Sequence, residues 1–573
     1  MKKIATAAAA ASLLAACATI PPPLTDYSAN SGAARNPDQA GLAFDKADLK
    51  LRIEPDTRSI RGDATLTFGT RTTMRRIDLD LDRNLPVDAI AVDGQPLGPE
   101  RWRNPQGLLS IDLPQPLEPG RTVSIEVKYH GQPHVAKRAP WDGGFVWSKT
   151  PDGQPWVASA VEGEGCDLFW PCIDHPTGKP KVVDEHFTVP APLVAAGNGV
   201  ATGMNVEPDG WRTWHWHANN PSTYGVSINV GPYKELSGEY KSRFGNVIPL
   251  HLWYLPQSEK GARELFAEFP QILDFFESTI GPYPFGDEKM GVVETPHKGM
   301  EHQTINAYGN GYAKTVYGYD DLLQHEFAHE YFGNQLTNAD WDDMWLHEGL
   351  GSYMQPLYSQ YLHGDMDYYA WLMQFRGGVR NKAPIVSGKL RREEDVYDTE
   401  RGGPGQDIYV KGALVMHTLR ELIGDRAFFA TIREAVYGRQ DPRPGNFKPR
   451  YGTTPEFMAI AKRISGRDLD WFFQAYLYQA ALPELQAKKE GDTLQLSWKT
   501  QKNTPFPMPV DVRIGSQVVT VPMADGRGSV NLPAGATWTL DPHSRVLKRE
   551  ISIERYQAYE DARKASAKAK AKN

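Results

Sequence analysis

The stretch His325-Glu326-Phe327-Ala328-His329, followed after eighteen further residues by Glu348, decides how this chain reads. On a helix, residues four apart share a face, so the imidazoles of His325 and His329 can converge on one metal ion. Glu326, beside the first histidine, can reach a metal-bound water as a base. Asp320 or Asp321 can cap such a helix, and Gly333-Asn334 can end it. Glu348, in the run WLHEGLGSYM, would supply the third ligand. Two histidines and a carboxylate leave the fourth position of a zinc ion open, as a catalytic site needs; a structural site would be closed by a fourth protein ligand.

Working outward, further segments stand at telling distances. KGMEH occupies 298–302, with Glu301 twenty-four residues before His325; IYVKGA occupies 408–413; FWPCIDHP occupies 169–176, with Glu162 ten residues before Cys172. Taken together these resemble the gluzincin aminopeptidases, the family of aminopeptidase N and leukotriene hydrolase, over about residues 46 to 482. The resemblance implies one Zn2+ per chain on His325, His329 and Glu348, with Glu326 as the base and Tyr409 as the catalytic tyrosine. It also implies that Glu301 binds the free α-amino group of a peptide substrate. Met300 in the same motif and Glu162 are the remaining candidates for substrate contact. Three positions depart from the family pattern: Lys298 replaces the first Gly of its Gly-x-Met-Glu-Asn motif, His302 replaces the Asn, and His347 replaces the Asn before the zinc Glu. As a cation, His302 would compete for Glu301.

The periodicity divides the chain. Leu49, Leu51 and Ile53 alternate with Lys50 and Arg52, and Ile77, Leu79 and Leu81 alternate with aspartates, as half-buried strands do. From Glu259 to Thr279 apolar residues recur at three and four, and more helical segments follow, among them VKGALVMHTLRELIG ending at Gly424. Alternation returns at Leu494, Leu496 and Trp498. The resulting expectation is a multidomain α+β chain. It has an N-terminal β-sheet domain (46–234), a catalytic domain (235–482), thermolysin-like if the resemblance holds, and a small C-terminal β-sandwich (483–555). A basic tail (556–573) ends the chain and reads as solvated and disordered by its low complexity.

The start of the chain, MKKIATAAAAASLLAAC, has a charged end and an apolar run too short to span a bilayer as an anchor. Leu14 to Cys17 resembles a bacterial lipobox, which implies a signal peptide (1–17) and an exported, lipidated protein; an ordinary signal peptide is the alternative. Ala18, where Gram-negative lipoproteins kept in the inner membrane carry Asp, implies the outer membrane. Residues 18–45, rich in Pro, Ser, Asn and Gly, read as a tether. A net charge of −7 gives no basic field for nucleic acid. After Cys17 only Cys166 and Cys172 remain, either bridged or as two buried thiols. The function read from all this is a zinc aminopeptidase acting on peptides with a free N-terminus. The rivals are an endopeptidase or epoxide hydrolase on the same metal site, and a non-catalytic surface peptide-binding protein.

Overall fold

The computed structural model describes residues 23–445 and 447–572, so the lipobox-like segment and Cys17 lie outside the described residues. The N-terminal sheet has eight strands in the order Val200–Val206, Arg212–Asn219, Val182–Val189, Leu42–Glu54, Ser59–Thr70, Thr122–Gly131, Val87–Val92 and Gln95–Pro96. All neighbours are antiparallel except Leu42–Glu54 and Val182–Val189. Alternation fills one face: Ala47, Leu49, Leu51 and Ile53 are buried, and a bulge between Phe44 and Lys46 resets the phase so that Phe44 joins them. A four-stranded sheet, containing Pro155–Ala160 and Asn229–Gly231, carries this domain toward the catalytic one.

Cys166 and Cys172 form a disulfide, which resolves the two alternatives left open by composition. From residue 23 on, the segment read as a tether is instead built into the fold. Asn36 caps a short helix, Pro37–Ala40, and the Tyr27 hydroxyl donates to Asp80 at 2.5 Å. Ser31 donates to Asp174 at 3.0 Å, and its backbone joins Gly163 on one side and Glu393 on the other. Composition reads this stretch as loose because its prolines and glycines mask a few polar side chains that each find a buried acid.

The catalytic domain opens with a four-stranded sheet, Lys234–Lys241, Val247–Tyr254, Met290–Glu294 and Asn306–Tyr308, backed by helices. The helical run 259–279 breaks into Glu259–Phe266 and Phe269–Thr279 because Pro270 fits only the first turn of a helix. Three further helices carry the residues singled out from the sequence: Asp321–Tyr331, Trp345–His363 and Asp407–Ile423. Two three-stranded sheets follow, pairing Glu484–Glu490 with Thr493–Lys499 and Val510–Ile514 with Gln517–Val521, around their own core of Leu494, Leu496, Val510 and Val512. Residues after them return to the catalytic domain, where Leu547 accepts from the buried Tyr476 hydroxyl at 2.6 Å. The basic tail is not disordered: Ile551–Lys572 is a helix, and Gln557 donates to the carbonyl of Val379 at 2.6 Å. The stretch lacks Gly and Pro and is dominated by Ala, Lys, Glu and Arg, which are strong helix formers.

The Trp345–His363 and Asp407–Ile423 helices cross with backbone almost against backbone. A Cβ on Gly412 would stand 2.9 Å from the Gly349 Cα, and one on Gly349 would stand 2.9 Å from the Ile408 carbonyl oxygen. Glu348 precedes one glycine and Tyr409 lies one turn before the other, so this contact sets their separation. Gly412→Ala is therefore expected to cost about 1–3 kcal/mol and to slow any reaction that uses both residues. Thermal melts and turnover would check this; a variant unchanged in both would show that the crossing does not position the pair.

Candidate metal centre and active site

The Asp321–Tyr331 helix starts as its sequence requires, with the Asp320 carboxylate accepting from the Leu323 amide at 3.0 Å. One turn apart on its buried face, the Nε2 atoms of His325 and His329 lie 3.0 Å from each other. The Oε2 of Glu348 is 3.7 Å from the first and 3.5 Å from the second. The carbonyl of Phe332 lies 3.0 Å from Nδ1 of His329; a proton there leaves Nε2 free to face its neighbours with a lone pair. Burial pushes the His325 imidazole down to about 3 and the His329 imidazole to about 4, so both stay neutral. Three donor atoms thus converge within reach of one ion, and Oε2 of Glu348 is buried without a hydrogen-bond partner. This set fits a zinc ion with an open position.

Glu326 points to the same place. Its carboxylate lies against the backbone of Gly299, where any Cβ would collide with it, so the KGMEH glycine is what admits the base. Burial, and then the charges of Glu301 and Glu348, push Glu326 well above the usual carboxylate range. Tyr409, on the first turn of its helix, reaches Glu348 with its hydroxyl and lies 3.2 Å from the hydroxyl of Tyr397.

Glu301 follows Met300, whose carbonyl accepts from Ala307 at 2.8 Å and whose side chain is buried with Ala160 and Ala307. The Glu301 carboxylate accepts from the Tyr224 hydroxyl at 2.6 Å, and Asn334 donates to its backbone carbonyl at 3.0 Å. Glu162 comes from the N-terminal domain with Oε1 buried and unpartnered. Its carboxyl is pushed well up by burial and then by Glu301, Glu348, Glu393 and Glu326. The structure therefore brings His325, His329, Glu348, Glu326, Tyr409, Glu301 and Glu162 to one cleft. Met300 packs beneath it rather than into it.

His302 does not act as expected. It is fully buried and held neutral, with burial lowering its imidazole to about 3, so it is no cation competing for Glu301. His347 stands there instead: its Nε2 is 3.5 Å from Glu301, and its ring packs on that of His329 with centroids 4.5 Å apart. Glu301, His329 and His347 form a second convergent set, but it shares His329 with the first. Sequence reasoning missed Tyr224 and Tyr397, and no local pattern announces either.

Residues 272–476 match the model of the Peptidase family M1 domain. Among curated relatives, tricorn protease-interacting factor F2 of Thermoplasma volcanium is 22% identical over 67% of this chain and 49% of its own length. Leucine aminopeptidase 2 of Vanderwaltozyma polyspora is 22% identical over 80% of this chain and 68% of its own. The chain thus spans about half the length of the first and about two thirds of the second. Among solved structures, an M1 zinc metallopeptidase from Deinococcus radiodurans is 26% identical with a TM-score of 0.62, covering 77% of this chain and 95% of that one. A mutant of the Deinococcus enzyme, bound to a Tyr-Ser-Ala substrate, is 25% identical with a TM-score of 0.62 over the same shares. With a Peptidase family M1 domain matched over residues 272–476, a matching two-domain architecture and a zinc-fitting donor set, this chain is similar to the M1 zinc metallopeptidases, the gluzincin aminopeptidase family.

Proposed function

We propose that the protein is a zinc-dependent aminopeptidase that releases N-terminal residues from peptides. The observation that carries this reading is the position of Glu301 and Glu162 beside the metal-fitting set. Two buried carboxylates with no protein cation to offset them mark where a substrate ammonium fits. A peptide entering with its N-terminus against them brings its first carbonyl toward Glu326 and Tyr409, and goes no deeper.

His325, His329 and Glu348 would hold zinc, which when bound supplies Lewis-acid polarisation of the scissile carbonyl and a more acidic water. Glu326, raised by burial and then by its acidic neighbours, has the basicity to take a proton from that water and pass it to the leaving amine. Tyr409 donates its hydroxyl proton toward the oxygen on which charge develops, and Tyr397 steadies it. The Tyr224 hydroxyl orients Glu301 so that the second oxygen faces the ammonium.

We further propose export, with Cys17 as a lipid-bearing residue at the outer membrane. The support is the signal-like sequence alone; among the described residues no helix is long and apolar enough to cross a membrane. Mass spectrometry of the mature N-terminus would test it, with a diacylated Cys17 expected and an unmodified start elsewhere overturning it.

Replacing Glu348 with Ala is expected to lose bound zinc and turnover together, measured by metal analysis of the purified protein. Glu326→Gln should keep zinc and lose hydrolysis, because the amide cannot carry a proton. Tyr409→Phe should keep zinc with kcat lower by about 10²–10³; near-native kcat would remove Tyr409 from the mechanism. For exopeptidase action, aminoacyl amides with free amines should be cut and their N-acetylated forms left intact. Glu301→Gln should raise KM more than it lowers kcat. Equal cleavage of blocked and free substrates would overturn the aminopeptidase reading while leaving a zinc hydrolase in place.

A further inference from the structure

On the side of the molecule where the N-terminal sheet meets the catalytic domain, a cavity of about 600 Å3 opens at the seam. Arg35, Arg71, Lys179 and Lys181 reach it from the N-terminal half, and Lys448 and Tyr451 from the catalytic domain. Five of these six are basic, and no Asp or Glu lines the cavity. Lys181 is offset by Asp45 at 2.5 Å. Arg35 has no such partner: half-buried, its guanidinium is lowered by burial and then by the like charge of Arg71. Among the described residues no ion pair involves Arg35, Arg71 or Lys448.

The floor of the cavity is Lys179, only 7% exposed. Its ammonium donates to the Asn334 carbonyl at 2.7 Å, and burial lowers it to about 7. Asn334 in turn donates to the Glu301 carbonyl at 3.0 Å. Glu330 opposes that lowering of Lys179 and Asp45 pairs with Lys181, but among the described residues Arg35, Arg71 and Lys448 have no such counter-charge. A concave, partly buried set of cations of this kind is costly unless an anion joins it. One carboxylate would leave most of this charge uncompensated. A phosphate group, with a charge near −2 and three acceptor oxygens, can meet two guanidinium forks and an ammonium at once. The volume leaves room for more than the phosphate itself.

We propose that this seam is a binding site for a phosphate-bearing ligand, gripped by Arg35 and Arg71 on one side and Lys448 on the other, above Lys179. Such a ligand crosses the domain boundary and therefore stabilises the docked arrangement. It also sits two hydrogen bonds from the backbone of Glu301, so its occupancy can be felt at the amine-binding end of the cleft. The phosphate can belong to a soluble molecule or to a lipid headgroup, and the chemistry at the seam is the same.

The test uses the full, zinc-loaded protein with two probes. One is inorganic phosphate, followed by calorimetric titration and thermal melts. The other is phosphatidylcholine vesicles with and without phosphatidic acid, followed by co-sedimentation. Saturable phosphate binding that raises the melting temperature, and that weakens at least about 10-fold in an Arg35→Gln, Arg71→Gln double variant, supports the site and a soluble ligand. Sedimentation only with phosphatidic acid, lost in the same variant, supports the site with a lipid headgroup. Without phosphate the double variant should melt no lower than wild type, since it removes a like-charge contact, and this confirms that it folds. Binding unchanged in the double variant would place the anion elsewhere, on the metal for instance, and overturn the proposal. Absence of binding to both probes would overturn it equally.

Discussion

Four carboxylates, Glu162, Glu301, Glu326 and Glu348, share one cleft with the neutral imidazoles of His325, His329 and His347, and among the described residues none of the four pairs with a lysine or arginine. Left to itself such a cluster repels and carries a large desolvation cost. The cluster is therefore suited to cations that come from outside the polypeptide, a metal at one end and, in the proposed function, a substrate ammonium at the other. The surrounding structure keeps these groups close despite that repulsion. A glycine lets Glu326 lie against the KGMEH strand, and the Gly349–Gly412 crossing holds the helices of Glu348 and Tyr409 together. The Tyr224 hydroxyl fixes one oxygen of Glu301.

The cleft is also shared between domains. The metal-fitting set, the base and Tyr409 come from the catalytic helices, whereas Glu162 and Tyr224 come from the N-terminal half of the chain. The proposed amine-binding end is thus shared between the two bodies, Glu301 from the catalytic domain and Glu162 and Tyr224 from the N-terminal one, whereas the proposed chemistry sits on the catalytic domain alone. Residues at the seam between them bear on specificity even where they touch no substrate.

What the sequence makes legible follows from distance along the chain. The two histidines and the base are set by helical spacing, and the tyrosine by the family resemblance, so their convergence could be anticipated, and the three-part α+β organisation shows in the change of period. Contacts across the fold were not legible. Tyr224 meets Glu301 from 77 residues away, and His347 rather than His302 faces that carboxylate because burial of the whole 302 side chain takes it out of the cleft. Composition misled at both ends of the described chain. Polar side chains in residues 25–39 find buried aspartates that no local rule reveals, and a low-complexity run of Ala, Lys and Glu still makes a good helix.

The N-terminal strap has a practical corollary. Arg392 donates to the carbonyl of Asp26 at 3.2 Å, and Ser31 links the loop of Glu162 to the short helix carrying Tyr397. A soluble version trimmed to the first strand of the sheet, as composition would suggest, would lose the mortar between those two loops. It could keep its zinc and its fold and still hold the substrate's amine loosely. An expression boundary drawn just before residue 24 omits the proposed leader and keeps every one of these bonds.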